Sequence, residues 1–189
     1  MVVTVVFGLS APAHAFDGII DEARFGGTWA QPEWLDSGHP EDNQFGLNAE
    51  ILFRQFEWDM RAEPKDDFLH VLATPRFHIG GMVNFDSDGT DYVYAGLTWQ
   101  YRANDILFFE LGFGAGLNNG EDRARPLPNP TRAGLGSSLT FRESFAVGFN
   151  LSPQASLVFQ VEHLSHAELL DDDSNRGLSN ASVRLGYKF

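Results

Sequence analysis

Three residues in the last third of the chain are of types that together hydrolyse esters: Glu143, His163 and Ser165. A serine hydroxyl is a weak nucleophile until a neighbouring base takes its proton, and a carboxylate holds that base in the productive tautomer. His163 and Ser165 are i and i+2, so in an extended strand their side chains leave the same face. Glu143 lies twenty residues before His163, and a hairpin turning at Ser152-Pro153-Gln154 would carry the chain back past it. Pairing Leu151 with Ala155 sets Glu143 directly opposite His163, with Cβ atoms about 4.5–5.5 Å apart. A slip of two residues sets it opposite Ser165 instead. The assignment is the same in either register: Ser165 as nucleophile, His163 as general base and then acid, Glu143 as the orienting acid. The competing reading is a polar patch that only meets lipid head groups.

Such a site needs strands to hold it, and strands are what the chain offers. Beyond Phe16, segments of about ten or more residues alternate apolar and polar, separated by clusters of Gly, Pro, Asn and Asp. They cover residues 21–31, 46–58, 68–85, 90–103, 106–118, 135–151, 155–167 and 178–189. In each segment one parity is apolar. The other holds the charges Glu22, Arg24, Glu50, Arg54, Arg76, Arg102, Glu110, Arg142, Glu162 and Arg184. Acids and bases mixed on one parity fit pairing inside a narrow lumen, with the apolar parity turned to lipid. The expected fold is all-β: an eight-stranded antiparallel transmembrane barrel formed by residues 16–189. Gly112, Gly114 and Gly116 recur with period two and make room inside it, so they are not a nucleotide loop. His70 and His78 are expected to be lumen hydrogen-bonders.

The ends of the chain agree with a place in an envelope. Residues 1–15 form an apolar run closed by Ala13-His14-Ala15, the form of a signal-peptidase site, without the expected basic start. Tyr187-Lys188-Phe189 sets an aromatic residue on the apolar parity at the C-terminus, which resembles an outer-membrane assembly signal. No stretch of about eighteen consecutive apolar residues supplies a transmembrane helix. There are no cysteines, hence no disulfide framework or thiolate metal site, and the net charge of −13 argues against nucleic acid as a partner. With the N-terminus in the periplasm, connections 59–67, 103–105 and 152–154 lie inside. Loops 32–45, 86–89, 119–134 and 168–177 then lie outside, mostly the longer set. Glu143 and Ser165 fall toward the outer ends of their strands, where a polar group on the lipid face costs about 0–1 kcal/mol, against a few at the midplane.

The stretch Leu135–Leu139, an acid at Glu143, His163-Leu164-Ser165-His166-Ala167 and Asn175-Arg176-Gly177-Leu178 together resemble the PagL-type lipid A 3-O-deacylases. The likeness is clearest from Leu135 to Phe189, and earlier residues match in pattern only. It implies an outer-membrane barrel that hydrolyses an ester-linked acyl chain of lipopolysaccharide, with a Ser-His-acid site on its outer surface near the external leaflet. His163 and Ser165 carry over as base and nucleophile, and neither cofactor nor metal is implied. Lipid A is the implied partner; a second copy of the chain is left open. Two departures stand out. The family's catalytic glutamate falls at Ser179, which leaves Glu143, and less directly Glu168, as the available acids. The asparagine and glycine of its oxyanion region are His166 and Glu168 here, and losing an oxyanion donor typically costs about a hundredfold or more in rate. The remaining polar clusters have plainer readings. Asp171-Asp172-Asp173 is read as a solvated loop before a Ca²⁺ site, and Arg123, Arg125 and Arg132 are a loop group able to meet lipid A phosphates. The rival to an enzyme is a noncatalytic small barrel, adhesive or structural, or an inactive homologue.

Overall fold

Strict alternation of side chains across each strand leaves one face of every strand apolar, and a sheet with an apolar face toward lipid must leave no open edge. The structure, a computed structural model, describes residues 18–32, 34–35, 44–55, 68–121, 132–166 and 177–189. Its strands are β1 (Ile20–Ala30), β2 (Gln44–Phe53), β3 (Arg76–Asn84), β4 (Tyr92–Arg102), β5 (Leu107–Asn118), β6 (Leu139–Asn150), β7 (Ala155–Ser165) and β8 (Leu178–Lys188). Each pairs antiparallel with the next, and β1 with β8 closes the barrel. The eight-stranded expectation holds. The leader expected over residues 1–15 lies outside the described residues, as do Glu168, Asp171–Asp173, Arg123 and Arg125.

One segment differs. Residues 68–85 form one strand in the alternation, but Phe68–Ala73 is a short helix, α1, and β3 begins only at Arg76. Pro75 explains the boundary: it carries no N–H for a sheet ladder and pushes Thr74 out of helical geometry. The helix is tied to the wall by Trp99 Nε1, which donates to the Leu72 carbonyl at 2.9 Å. His70 is therefore a helix residue rather than a strand residue, and it lines a cavity with the inward-facing Arg76 and Gln100 at that end of the barrel. His78 does face the lumen, fully buried, with Nδ1 2.8 Å from Thr98 Oγ1.

The lumen is filled by paired charges. Arg24 donates to Glu110 at 2.6 Å and to Glu22 at 2.8 Å, and Arg76 reaches Glu110 at 2.5 Å. Farther along, Arg142 Nε donates to Glu162 at 2.8 Å, Arg184 meets Glu50 at 3.0 Å, and Tyr92 bonds Glu162. Of the ten charges placed on the polar parity, Arg54 and Arg102 are exposed instead. Both stand at one rim of the barrel, Arg54 just past the end of β2 and Arg102 at the end of β4, where solvent solvates them. At the opposite end Ala133 and Leu135 tuck into an apolar cluster with Met82, Tyr92, Leu164 and Leu178. Outside, Phe25, Leu47, Ile79, Val93, Leu111 and Leu185 are all exposed, as a wall in hydrocarbon requires.

Candidate active site

The β6–β7 hairpin sets the site's register. Leu151 N donates to the Ala155 carbonyl at 2.8 Å, and from that closure Glu143 pairs with His163 and Phe141 with Ser165. Of the two registers open to the hairpin, this is the first. On the other side of β7, His163 pairs with Ser179 of β8. All four polar residues stand on the outward parity, among Phe141, Phe145, Phe159 and Val161. Glu143 is exposed, His163 and Ser165 are half-buried, and Ser179 is 8% exposed.

Bonding singles out Ser179. His163 Nδ1 lies 2.9 Å from Ser179 Oγ. Among the described residues no hydrogen bond joins His163 to Glu143 or to Ser165, although the strand pairing brings Glu143 across from the ring. The ring lies over Gly177, in a backbone conformation with φ +69°; a Cβ there would stand 2.5 Å from His163 Cε1 and 3.0 Å from Nε2. Ser179 is fixed in turn by Gln31. The Gln31 N–H donates to the Ser179 carbonyl at 2.8 Å, and the Ser179 N–H donates to Gln31 Oε1 at 2.8 Å. Gln31 is fully buried and sits at φ 47°, a conformation that costs a non-glycine residue of order 1–3 kcal/mol and that marks functional sites more often than others. Nothing in the sequence marks Gln31 for this role; Gly177 is visible as part of the Asn-x-Gly stretch.

His166 continues the buried parity of Glu162 and Leu164, on the opposite face of the sheet from Ser165. It is fully buried, and neither ring nitrogen has a hydrogen-bond partner among the described residues. No group of three or more His, Asp or Glu residues able to hold a metal ion occurs among the described residues.

Two grooves adjoin on the outer wall. One, of about 320 Å³, is lined by Glu143, His163 and Ser179 together with Phe145 and Val161. The second, of about 680 Å³, shares Phe145 and Val161 and runs across β8 and β1. Its lining includes Gly27 and Ala181, small residues, with Phe159 toward β7 and Trp29 and Phe45 toward β2. Trp29 and Phe45 stack at 5.8 Å, which stiffens that side.

Residues 29–188, most of the chain and all of the site, match the sequence model of the lipid A 3-O-deacylase (PagL) family. The chain belongs to that family. The crystal structure of the outer-membrane enzyme PagL superposes with a TM-score of 0.61 at 17% identity, covering 90% of this chain and 99% of that one. A de novo designed transmembrane β-barrel gives 0.52 at 11% identity, covering 91% and 96%. Neisserial surface protein A gives 0.50 at 12%, covering 91% and 97%. These structural likenesses establish the fold, that of an outer-membrane β-barrel. No curated protein matches by sequence.

Proposed function

We propose that this PagL-family barrel is an outer-membrane serine esterase that removes an ester-linked acyl chain from lipid A, exported with residues 1–15 as its leader. One observation carries the reading. An otherwise apolar lipid-facing wall is interrupted near its outer end by a nucleophile, a base and a carboxylate, on the strand pair β6–β7. Each polar group there costs about 0–1 kcal/mol, and a purely structural barrel has no need to gather all three on one strand pair.

Ser165 Oγ attacks the ester carbonyl while its proton passes to His163 Nε2, the ring nitrogen that Ser179 leaves free. The tetrahedral intermediate collapses, the bond from carbonyl carbon to sugar oxygen breaks, and Nε2 returns the proton to that oxygen. Water then attacks the acyl-serine, again through Nε2, and the fatty acid leaves. Glu143, paired across from His163, offsets the positive charge that the ring carries in each transition state. The Ser165–His163 hydrogen bond closes when substrate fills the site, as is common where catalytic contacts are loose in the empty enzyme. The departing chain lies in the apolar groove that continues from Val161 over Ala181 to Gly27. Neither cofactor nor metal is needed for these steps.

The test is expression in cells of known lipid A, followed by mass analysis of that lipid A. Loss of one hydroxyacyl chain is expected. Unchanged mass beside a folded barrel would overturn the reading in favour of a noncatalytic barrel or an inactive homologue.

A further inference from the structure

We infer that Ser179 is the residue that positions His163, and that Glu143 supplies charge without orienting the ring; the inference deepens the esterase reading and rests on it. A histidine that serves as base through Nε2 must carry its other proton on Nδ1 and must be held by an acceptor there. That acceptor is the Ser179 hydroxyl oxygen, 2.9 Å from Nδ1. Three further features aim the ring at it. Gly177 leaves open the space beneath the ring, which a Cβ would occupy at 2.5 Å from Cε1. Gln31 fixes the backbone of Ser179 on both its N–H and its carbonyl, each at 2.8 Å. Burial of Ser179, 8% exposed, limits competition from water for its hydroxyl. Glu143 lies on the opposite neighbouring strand, exposed, and forms no hydrogen bond to the ring among the described residues. The two tasks that one carboxylate performs in a Ser-His-acid site are thus divided between two strands. A neutral hydroxyl fixes the tautomer and angle; a carboxylate across the ring tempers the charge.

Ser179 is a positioning residue, so its test needs a readout that folding alone would not move. In the full-length protein in detergent micelles, nitrogen-15 spectra of the histidine imidazoles report which ring nitrogen is protonated. The expected result is a neutral His163 protonated on Nδ1, with that preference lost in Ser179→Ala and kept in Ser179→Thr. In deacylation of purified lipopolysaccharide, Ser179→Ala is expected to lower kcat about tenfold to a hundredfold at nearly constant KM, below the ~10⁴ that a carboxylate orienter is worth. Ser179→Thr should stay within about threefold of the wild type, because it keeps the hydroxyl. A His163 protonated on Nε2, with Ser179 donating, would overturn the inference. So would a Ser179→Ala protein as active as the wild type while Glu143→Gln is dead. If the wild type deacylates nothing, the esterase reading fails by itself, and the tautomer still decides the role of Ser179.

Discussion

Glu162 and His163 are neighbours in sequence and face opposite worlds. Glu162 points inward and is bonded to Arg142, Tyr92 and Gln160; the His163 side chain points outward and, among the described residues, bonds Ser179. The same contrast repeats on β6, where Arg142 is 1% exposed and paired while Glu143 is exposed. Burying a charge is tolerable only when its partners are present, so the interior ions pair with one another and do structural work, even though the Nε atoms of Arg24, Arg76 and Arg184 have no hydrogen-bond partner among the described residues. The outward groups are left with unused hydrogen-bonding capacity, which a substrate can fill. Removing a residue of the first kind should therefore cost stability and spare the chemistry, and removing one of the second should do the reverse.

The sharpest break between the two sets is catalytic. Ser165→Ala and His163→Ala should each lower deacylation by about 10⁴-fold or more, as loss of a nucleophile or base does elsewhere. Their barrels should unfold at the same urea concentration as the wild type in lipid vesicles. Arg142→Ala should show the mirror image. It strips Glu162 of a partner at 2.8 Å, so unfolding in the same vesicles should be easier by about 3–5 kcal/mol, with the folded fraction still active. Gly177→Ala tests the ring's seat. A Cβ at 2.5 Å from Cε1 must push a side chain that is free to swing away, so turnover should fall about a hundredfold. The added strain at φ +69° should cost only about 1 kcal/mol of stability. Gly27→Leu has the smallest expected effect. Space is open at Gly27, so the barrel should tolerate the side chain, while the groove it fills should lose long acyl chains about tenfold relative to short ones. A competition assay with two lipid A species of different chain length reads that ratio.

How much of this was legible in the sequence depended on what sets each feature. Alternation alone marks the barrel wall, because lipid outside and paired charge inside leave period two in nearly every strand. Ser152-Pro153-Gln154 is so tight a turn that counting narrows the β6–β7 pairing to two registers, and the Leu151–Ala155 closure selects the one that sets Glu143 across from His163. The β7–β8 connection is long, so no turn geometry fixes how His163 meets Ser179; that contact needed the three-dimensional closure of the barrel. Gln31 was invisible for the same reason, being far from Ser179 in sequence and joined to it by the β1–β8 seam. The helix over Phe68–Ala73 was missed because a short apolar run reads equally as a strand. Arg54 and Arg102 share parity with buried charges but lie beyond the membrane-facing span, and parity carries no information about height.

The central claim, that the lipid-facing wall carries a base-activated serine, is tested most directly by covalent capture. Purified barrel in micelles is treated with a long-chain organophosphorus ester, which reacts with activated serines, and the modified peptide is located by mass spectrometry. A single adduct on Ser165, absent in His163→Ala, is the predicted result. An unmodified Ser165 in a folded barrel, or equal labelling with and without His163, would contradict it.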